Sequence, residues 1–158
     1  MQILNQLKLP HQEEYNEIRS AEDGWHAIKE MRTRGAPAIA IVAALSLAVE
    51  LQNKEVSDKA EEVAAFVIEK LSYLVTSRPT AVNLADAARK LRQIVLRAAD
   101  NKDSNGDYIV TAYCAAAAQM LIDDVSDNER IGKHGADWIA KEAREASGVS
   151  VITHCNTG

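Results

Sequence analysis

The chain has 158 residues, 47% of them hydrophobic and 26% charged, with a formal net charge of −5. That is enough apolar material for a real core and excludes a disordered composition, while the acidic surplus argues against a nucleic-acid binder, which needs Lys and Arg to neutralise phosphates. With 4% aromatics, three prolines and seven glycines, the core must be built from Ala, Leu, Ile and Val, which suits closely packed helices rather than a loop-rich all-β fold.

In chain order, residues 3–10 predict a short strand ending at Pro10. No basic start followed by a long apolar run marks a signal peptide. Ser20 with Asp23 resembles a capping box, and Trp25, Ile28 and Met31 follow at helical spacing, so a first helix should run to about Arg32 and stop near Gly35. Pro37 suits the first turn of a second helix, whose apolar character on every side through Val49 implies burial all round. That stretch, residues 36–49, is 14 residues long, short of the roughly 20 that a bilayer span needs. No membrane partner is expected.

A third helix should start at Ser57 or Asp58, with Val63, Phe66, Val67, Leu71 and Leu74 as its apolar stripe. Pro79 disfavours helix at Arg78, so Ser77-Arg78-Pro79-Thr80 reads as a loop. In a fourth helix Leu84, Ala87, Leu91, Ile94 and Ala98 face inward. Residues 101–107 read as a polar linker with an Asn-Gly turn signal. Residues 108–121 predict a fifth helix. Residues 128–146 predict a sixth, with Ile131, Trp138, Ile139, Ala143 and Ala146 towards its apolar side. Trp25 and Trp138 are expected in the core, and no internal repeat is present.

Gly148 should end the sixth helix, and Val149-Ser150-Val151-Ile152-Thr153 is a β-rich run. In open α/β sheets ligands bind beyond the carboxyl ends of the strands, the place that residues 154–158 occupy. The expectation is a mainly α domain of about six helices over residues 1–124. Over residues 125–158 come a connecting helix and the first strand of an incomplete α/β domain. One strand makes no sheet, so the chain is expected to be part of a longer protein.

The candidate chemistry starts at Cys155. A single Cys is by default a small hydrophobe, but this one sits in a polar turn after the expected strand, where backbone amides and a following helix N-terminus would favour the thiolate. Cys114, inside an Ala-rich helix, reads as inert. The two cysteines form no CxxC pair, and His11, His26, His134 and His154 lack the spacing of zinc ligands, so no metal site is expected. This usage suits a reducing, cytosolic setting. Arg34-Gly35-Ala36-Pro37 is either a plain helix–helix connection or an anion site, in which amides at the helix start and the Arg34 guanidinium grip a phosphate together. Arg78 carries the same two readings. Asp123-Asp124 reads as a solvated helix end, and Gly132-Lys133-His134-Gly135 falls inside a helical pattern.

Four blocks in register carry a resemblance. They are Gln2-Ile3-Leu4-Asn5-Gln6 with Leu9-Pro10, the run Met31-Arg32-Thr33-Arg34-Gly35-Ala36-Pro37-Ala38-Ile39, the run Ser77-Arg78-Pro79-Thr80-Ala81-Val82-Asn83-Leu84, and Thr153-His154-Cys155-Asn156-Thr157-Gly158. In order and spacing they resemble methylthioribose-1-phosphate isomerase, over about the first half of a family member. The resemblance implies an aldose–ketose isomerase of methionine salvage without metal or organic cofactor. It also implies a helical domain joined to a Rossmann-like one, a cytoplasmic homodimer, and a small phosphorylated sugar as substrate. By the same resemblance Cys155 matches the catalytic cysteine, Arg34, Gly35 and Ala36 a first substrate-binding block, and Arg78 a second substrate-binding arginine. The partner Asp, with a binding Gln and an Asn-Lys pair, belongs beyond residue 158, so the 158 residues alone are expected to be inactive. The regulatory subunits of the guanine-nucleotide exchange factor of translation initiation share this architecture and form the alternative, non-catalytic reading. Ribose-1,5-bisphosphate isomerase is a further relative.

Overall fold

The computed structural model describes residues 1–143 and 149–152. The elements in chain order are β1 (Gln2–Leu4), β2 (Tyr15–Glu17), α1 (Ala21–Lys29), α2 (Ala36–Gln52), α3 (Ala60–Val75), α4 (Val82–Ala99) and α5 (Gly106–Glu142). The described chain is thus mainly helical with a two-stranded sheet at its start. By contact the chain separates into Met1–Leu121 and Ile122–Gly158.

In the first unit everything is arranged around α2. Its sequence contains no charge before Glu50, so no face prefers water, and ten of its residues are buried. Helices α1, α3 and α4 pack against it, and α5 lays Ile109, Tyr113 and Ala117 into the same core. The Tyr113 hydroxyl donates to the Ala44 carbonyl at 3.0 Å, which gives this fully buried ring its polar partner. Burial pushes the Tyr113 phenol well above its ordinary value, and the neighbouring Cys114 adds to this. Near the far end of α2, one half-shielded carboxylate joins three helices. Glu50 accepts from the Ala21 amide at 2.8 Å and pairs with Lys70 at 3.2 Å, so it satisfies an orphan donor at the start of α1 while tethering α3.

Two glycines sit where backbones approach closely. A Cβ at Gly24 of α1 would fall on the Ser46 side chain of α2, and one at Gly106 would fall on the Ser57 carbonyl. The Gly106 amide also donates to the Asp58 carbonyl at 2.9 Å.

Several expectations change. The fifth and sixth helices are one helix, α5, of 37 residues. Residues 122–127, between the two expected helices, are mostly polar but contain neither Pro nor Gly, and the Asn128 side-chain amide donates to the Asp124 carbonyl within the helix. Polarity alone does not stop a helix. Asp123 and Asp124 therefore lie within a helix rather than at its end, and residues 132–135 lie within it too. Asn105-Gly106 is a helix start instead of a turn, since Asn105 Oδ1 accepts from the Tyr108 amide at 2.9 Å. Helix α1 stops at Lys29, because Met31 takes a left-handed φ of 61° and the Arg32 amide folds back to the Ala27 carbonyl. In α4 Val95 is buried and Ile94 only half-buried, the inward positions following 84, 87, 91, 95 and 98. Trp138 and Ile131 are exposed. The N-terminal strand is shorter than expected and pairs antiparallel with the polar β2, Ile3 opposite Asn16. Residues 149–152 are not a strand; a strand needs a neighbour to pair with, and the β1–β2 pair is the only sheet among the described residues. Ala146, Gly148 and Thr153 lie outside the described residues.

The helix starts fall into two kinds. Helix α1 has the Ser20 hydroxyl accepting from the Asp23 amide at 3.2 Å, with Glu22 and Asp23 in its first turn. Helix α3 opens with Glu61 and Glu62, and α5 has Asn105 and Asp107. Helices α2 and α4 have neither a side-chain cap nor an acid in the first turn.

Two stability outcomes follow. Gly24→Ala is expected to destabilise the chain by about 1–3 kcal/mol through overpacking at the α1–α2 contact, with Ser46→Gly in the same chain recovering most of the loss. Urea denaturation followed by circular dichroism measures both, and an unchanged midpoint for Gly24→Ala would contradict the close approach. Ala81 precedes α4 in an extended conformation, so Ala81→Ser should supply the absent cap and raise stability by about 0.5–1 kcal/mol in the same measurement.

Candidate functional site

The chain folds back after α1 through residues 30–35, with Thr33 buried and Arg34 exposed. Gly35 ends this loop at φ 97° and ψ 130°, a backbone conformation that side chains disfavour. It turns the chain directly into Ala36-Pro37 at the head of α2. Pro37 has no amide hydrogen and the Ile39 amide closes onto Gly35, so the amides of Ala36 and Ala38 have no partner within the helix. Arg34 Nε donates to the Met31 carbonyl at 3.4 Å, and among the described residues its two terminal amino groups have no hydrogen-bond or ion-pair partner.

Arg78 is reached differently. The last turn of α3 tightens, with the amides of Thr76, Ser77 and Arg78 donating to the carbonyls of Tyr73, Leu74 and Val75. The Thr76 and Ser77 hydroxyls donate to the Tyr73 and Leu74 carbonyls as well, each at 2.6 Å. Arg78 follows, half-buried, then Pro79 and the uncapped start of α4. The Ala81 amide closes onto the Arg78 carbonyl at 2.9 Å. Among the described residues the Arg78 guanidinium has no hydrogen-bond or ion-pair partner.

The packing brings the two loops to one end of the helical unit. The Ala21 amide meets Glu50 and Gly24 lies on Ser46, so α1 runs antiparallel to α2. Lys70 pairs with the same Glu50, Leu74 lies beside Gly24, and Thr76 meets Trp25, so α3 runs in the sense of α1. Both helices therefore deliver their following loops towards the end where α2 begins. Each loop holds an arginine beside a helix N-terminus free of acids and caps. A helix start carries about half a positive charge, so the arrangement suits a small dianion such as a phosphate ester.

The remaining candidates divide clearly. Cys155 and the rest of the run 153–158 lie outside the described residues. Cys114 is half-buried, with Sγ 3.8 Å from the Ala48 carbonyl, and burial pushes its thiol up, which leaves little thiolate. Among the described residues no group of three or more His, Cys, Asp or Glu could hold a metal ion, and no helix is long and apolar enough to cross a membrane. Sequence reasoning missed Trp25. It is not simply core: its indole Nε1 donates to Thr76 Oγ1 at 2.9 Å, two residues before Arg78. The hydroxyl pair Thr76-Ser77 directly ahead of Arg78-Pro79 was the available signal.

Comparison with known proteins bears on both loops. The model of the initiation factor 2 subunit family matches residues 32–158. A methylthioribose-1-phosphate isomerase of Pyrenophora tritici-repentis is 65% identical over 160 residues, which takes in all of this chain and 41% of the relative. Another of that name from Aspergillus terreus is 56% identical over 161 residues, covering 99% and 43%. The chain thus spans about two-fifths of the length of these relatives. Among solved structures, 5-methylthioribose 1-phosphate isomerase from Pyrococcus horikoshii aligns with a TM-score of 0.77 at 30% identity, over 86% of this chain and 37% of that one. The delta subunit of translation initiation factor eIF-2B from A. fulgidus aligns with a TM-score of 0.75 at 27% identity, over 87% and 38%. With both arginine loops inside the matched region, the chain belongs to the initiation factor 2 subunit family.

Proposed function

We propose that this chain is the phosphate-gripping and cysteine-bearing part of an aldose–ketose isomerase that converts 5-methylthioribose 1-phosphate to 5-methylthioribulose 1-phosphate. The observation that carries the reading is 65% identity along the whole chain to a protein named methylthioribose-1-phosphate isomerase. The two bare helix starts with free arginines support it, because they suit a sugar phosphate. In this reading residues 1–124 form the helical domain and residues 125–158 lead into a Rossmann-like one. The complete enzyme works as a cytoplasmic homodimer.

The substrate explains the division of labour. A phosphate ester at C1 locks the sugar ring, since no free hemiacetal can open. The ring oxygen must take a proton as its bond to C1 breaks, C2 must lose a hydrogen, and C1 must gain one. Arg34, Arg78 and the amides at Gly35 and Ala36 hold the phosphate and so fix C1 and C2. Cys155, as thiolate, moves the hydrogen, and an acid from the part of the enzyme beyond this chain protonates the ring oxygen. No cofactor enters these steps.

A second reading follows from the similarity to the eIF-2B delta subunit, in which the same fold serves assembly without turnover. Fusing the chain to the C-terminal three-fifths of the Pyrenophora relative separates the two. The fusion is expected to convert the phosphosugar, while the 158 residues alone do not. Cys155→Ser in the fusion should lower kcat by at least about a thousandfold, the scale of a lost nucleophile or base, with substrate binding largely kept. Near-normal turnover by that variant would remove Cys155 from the chemistry. A wild-type fusion that binds the sugar phosphate without converting it would favour the assembly reading. In D2O, deuterium entering C1 would show a proton transfer rather than a direct hydride shift, and loss of that incorporation in Cys155→Ser would assign the transfer to Cys155.

A further inference from the structure

We propose that Trp25 is a positioning residue for Arg78, acting through the Thr76 hydroxyl. The inference rests on the phosphate-binding reading of Arg78 and adds to it a device that sets where that arginine points.

The geometry forms a directed relay. Trp25 Nε1 donates to Thr76 Oγ1 at 2.9 Å, and the same hydroxyl donates to the Tyr73 carbonyl at 2.6 Å. Each group uses its proper polarity: the indole can only donate, the carbonyl only accept, and the hydroxyl does both. The hydroxyl's rotation is therefore fixed from both sides. The Trp25 ring also stacks on Tyr73, with centroids 5.7 Å apart and an interplanar angle of 17°. Lys29 Nζ lies 5.9 Å from the ring centroid.

What the relay fixes is the bend at which α3 hands over to the Arg78 loop. Without it, the tightened last turn would be held by local bonds alone. Ser77 is buried and bonded to Leu74, which leaves Thr76 as the exposed, adjustable member of the pair. The indole belongs to α1, the helix that leads into the Arg34 loop. One side chain thus ties the two arginine loops into a common frame at 51 residues' separation. An arginine with no partner of its own depends on such a frame, since its side-chain freedom must be restrained before a bidentate grip is productive.

A plain structural role for Trp25 would lie in the stack on Tyr73, and the variants separate the two. Trp25→Phe keeps an aromatic ring and removes the donor. Thr76→Val keeps the shape and removes the hydroxyl, and Thr76→Ser restores it. The 15N-labelled chain is titrated with ribose 1-phosphate and, separately, inorganic phosphate, following the indole N–H resonances of Trp25 and Trp138 and the binding isotherm. The Trp25 resonance should shift with saturation while that of Trp138 stays in place. Trp25→Phe and Thr76→Val should each weaken binding about three- to tenfold, the ratio that one net hydrogen bond represents. Thr76→Ser should bind as the unaltered chain does, and Arg78→Lys should lose most of the affinity. Full affinity in Trp25→Phe and Thr76→Val, with loss in Arg78→Lys, would overturn the positioning role and leave the phosphate reading intact. Full affinity in Arg78→Lys, or no binding by the unaltered chain, would overturn the phosphate reading and this inference with it.

Discussion

The arrangement depends on one constraint: α2 has no face that tolerates water. Ala36–Gln52 carries no charge until Glu50 and only the buried Ser46 among polar side chains before it, so the other helices must enclose it. Enclosure demands close approach, which explains why small residues sit at its contacts. Gly24 meets Ser46, and Ala44 and Ala48 face α5 through Tyr113 and Cys114. The one charged group near its far end is used on two sides at once, Glu50 meeting the start of α1 and Lys70 of α3. That junction sets the direction of both neighbouring helices. Directions in turn decide which loops share an end.

The ends so defined are chemically unequal. Around Glu50 the helix start is capped and the charges are paired. At the opposite end, α2 and α4 begin without caps or acids, and arginines 34 and 78 keep free donors. An uncapped helix start costs on the order of 1 kcal/mol relative to a Ser or Asp cap. Two such starts in one small unit, both next to arginine, are locally unfavourable, and a bound anion would offset that cost at both. Among the described residues these donors have no protein partner, as the proposed anion site requires.

Much of this was legible in the residues, and the misses have physical causes. The all-round apolar run foretold the buried α2, and Pro79 foretold the Arg78 loop, because both signals act through local sterics and burial. The Ser20–Asp23 cap was legible too, with the Arg19 amide rather than the Ser20 amide donating the reciprocal bond to the Asp23 carboxylate. The Asp123-Asp124 pair was the misleading signal: it read as a solvated helix end, yet nothing in residues 122–127 prevents helix, and α5 continues through them. In the same way Asn105-Gly106 looked like a turn, because a cap and a turn use the same residues. Strand β2 escaped notice since Tyr-Asn-Glu has no apolar alternation; its pairing with β1 and the Met1 contacts to Ile18 are long-range. Trp138 looked like core from spacing alone, but spacing says which face a residue shares and not what covers that face. At the site, Arg34 and Arg78 were nameable one by one. Their common end was not, because it follows from Glu50, Gly24 and Trp25 acting across three helices.

An acidic chain with the proposed anion site presents no contradiction once screening is considered. The net charge of −5 is spread over the surface, where water and salt screen each charge beyond about 8 Å. Many of its carboxylates are already engaged with cations or amides, as Glu17 is with Arg19, Glu62 with Lys59 and Asp86 with Arg89 and Lys90. Those partners hold the three carboxyls below their usual range, so they stay ionised and locally neutralised near pH 7. Among the described residues the arginines beside the α2 and α4 starts are not neutralised in this way. Both guanidinium groups and both helix starts lie towards the same end of the helical unit, and in the proposed reading they face a small anion there, while the paired carboxylates are screened. The acidic surplus then works against extended polyanions, which must touch a wide surface, without weakening the capture of a single small one.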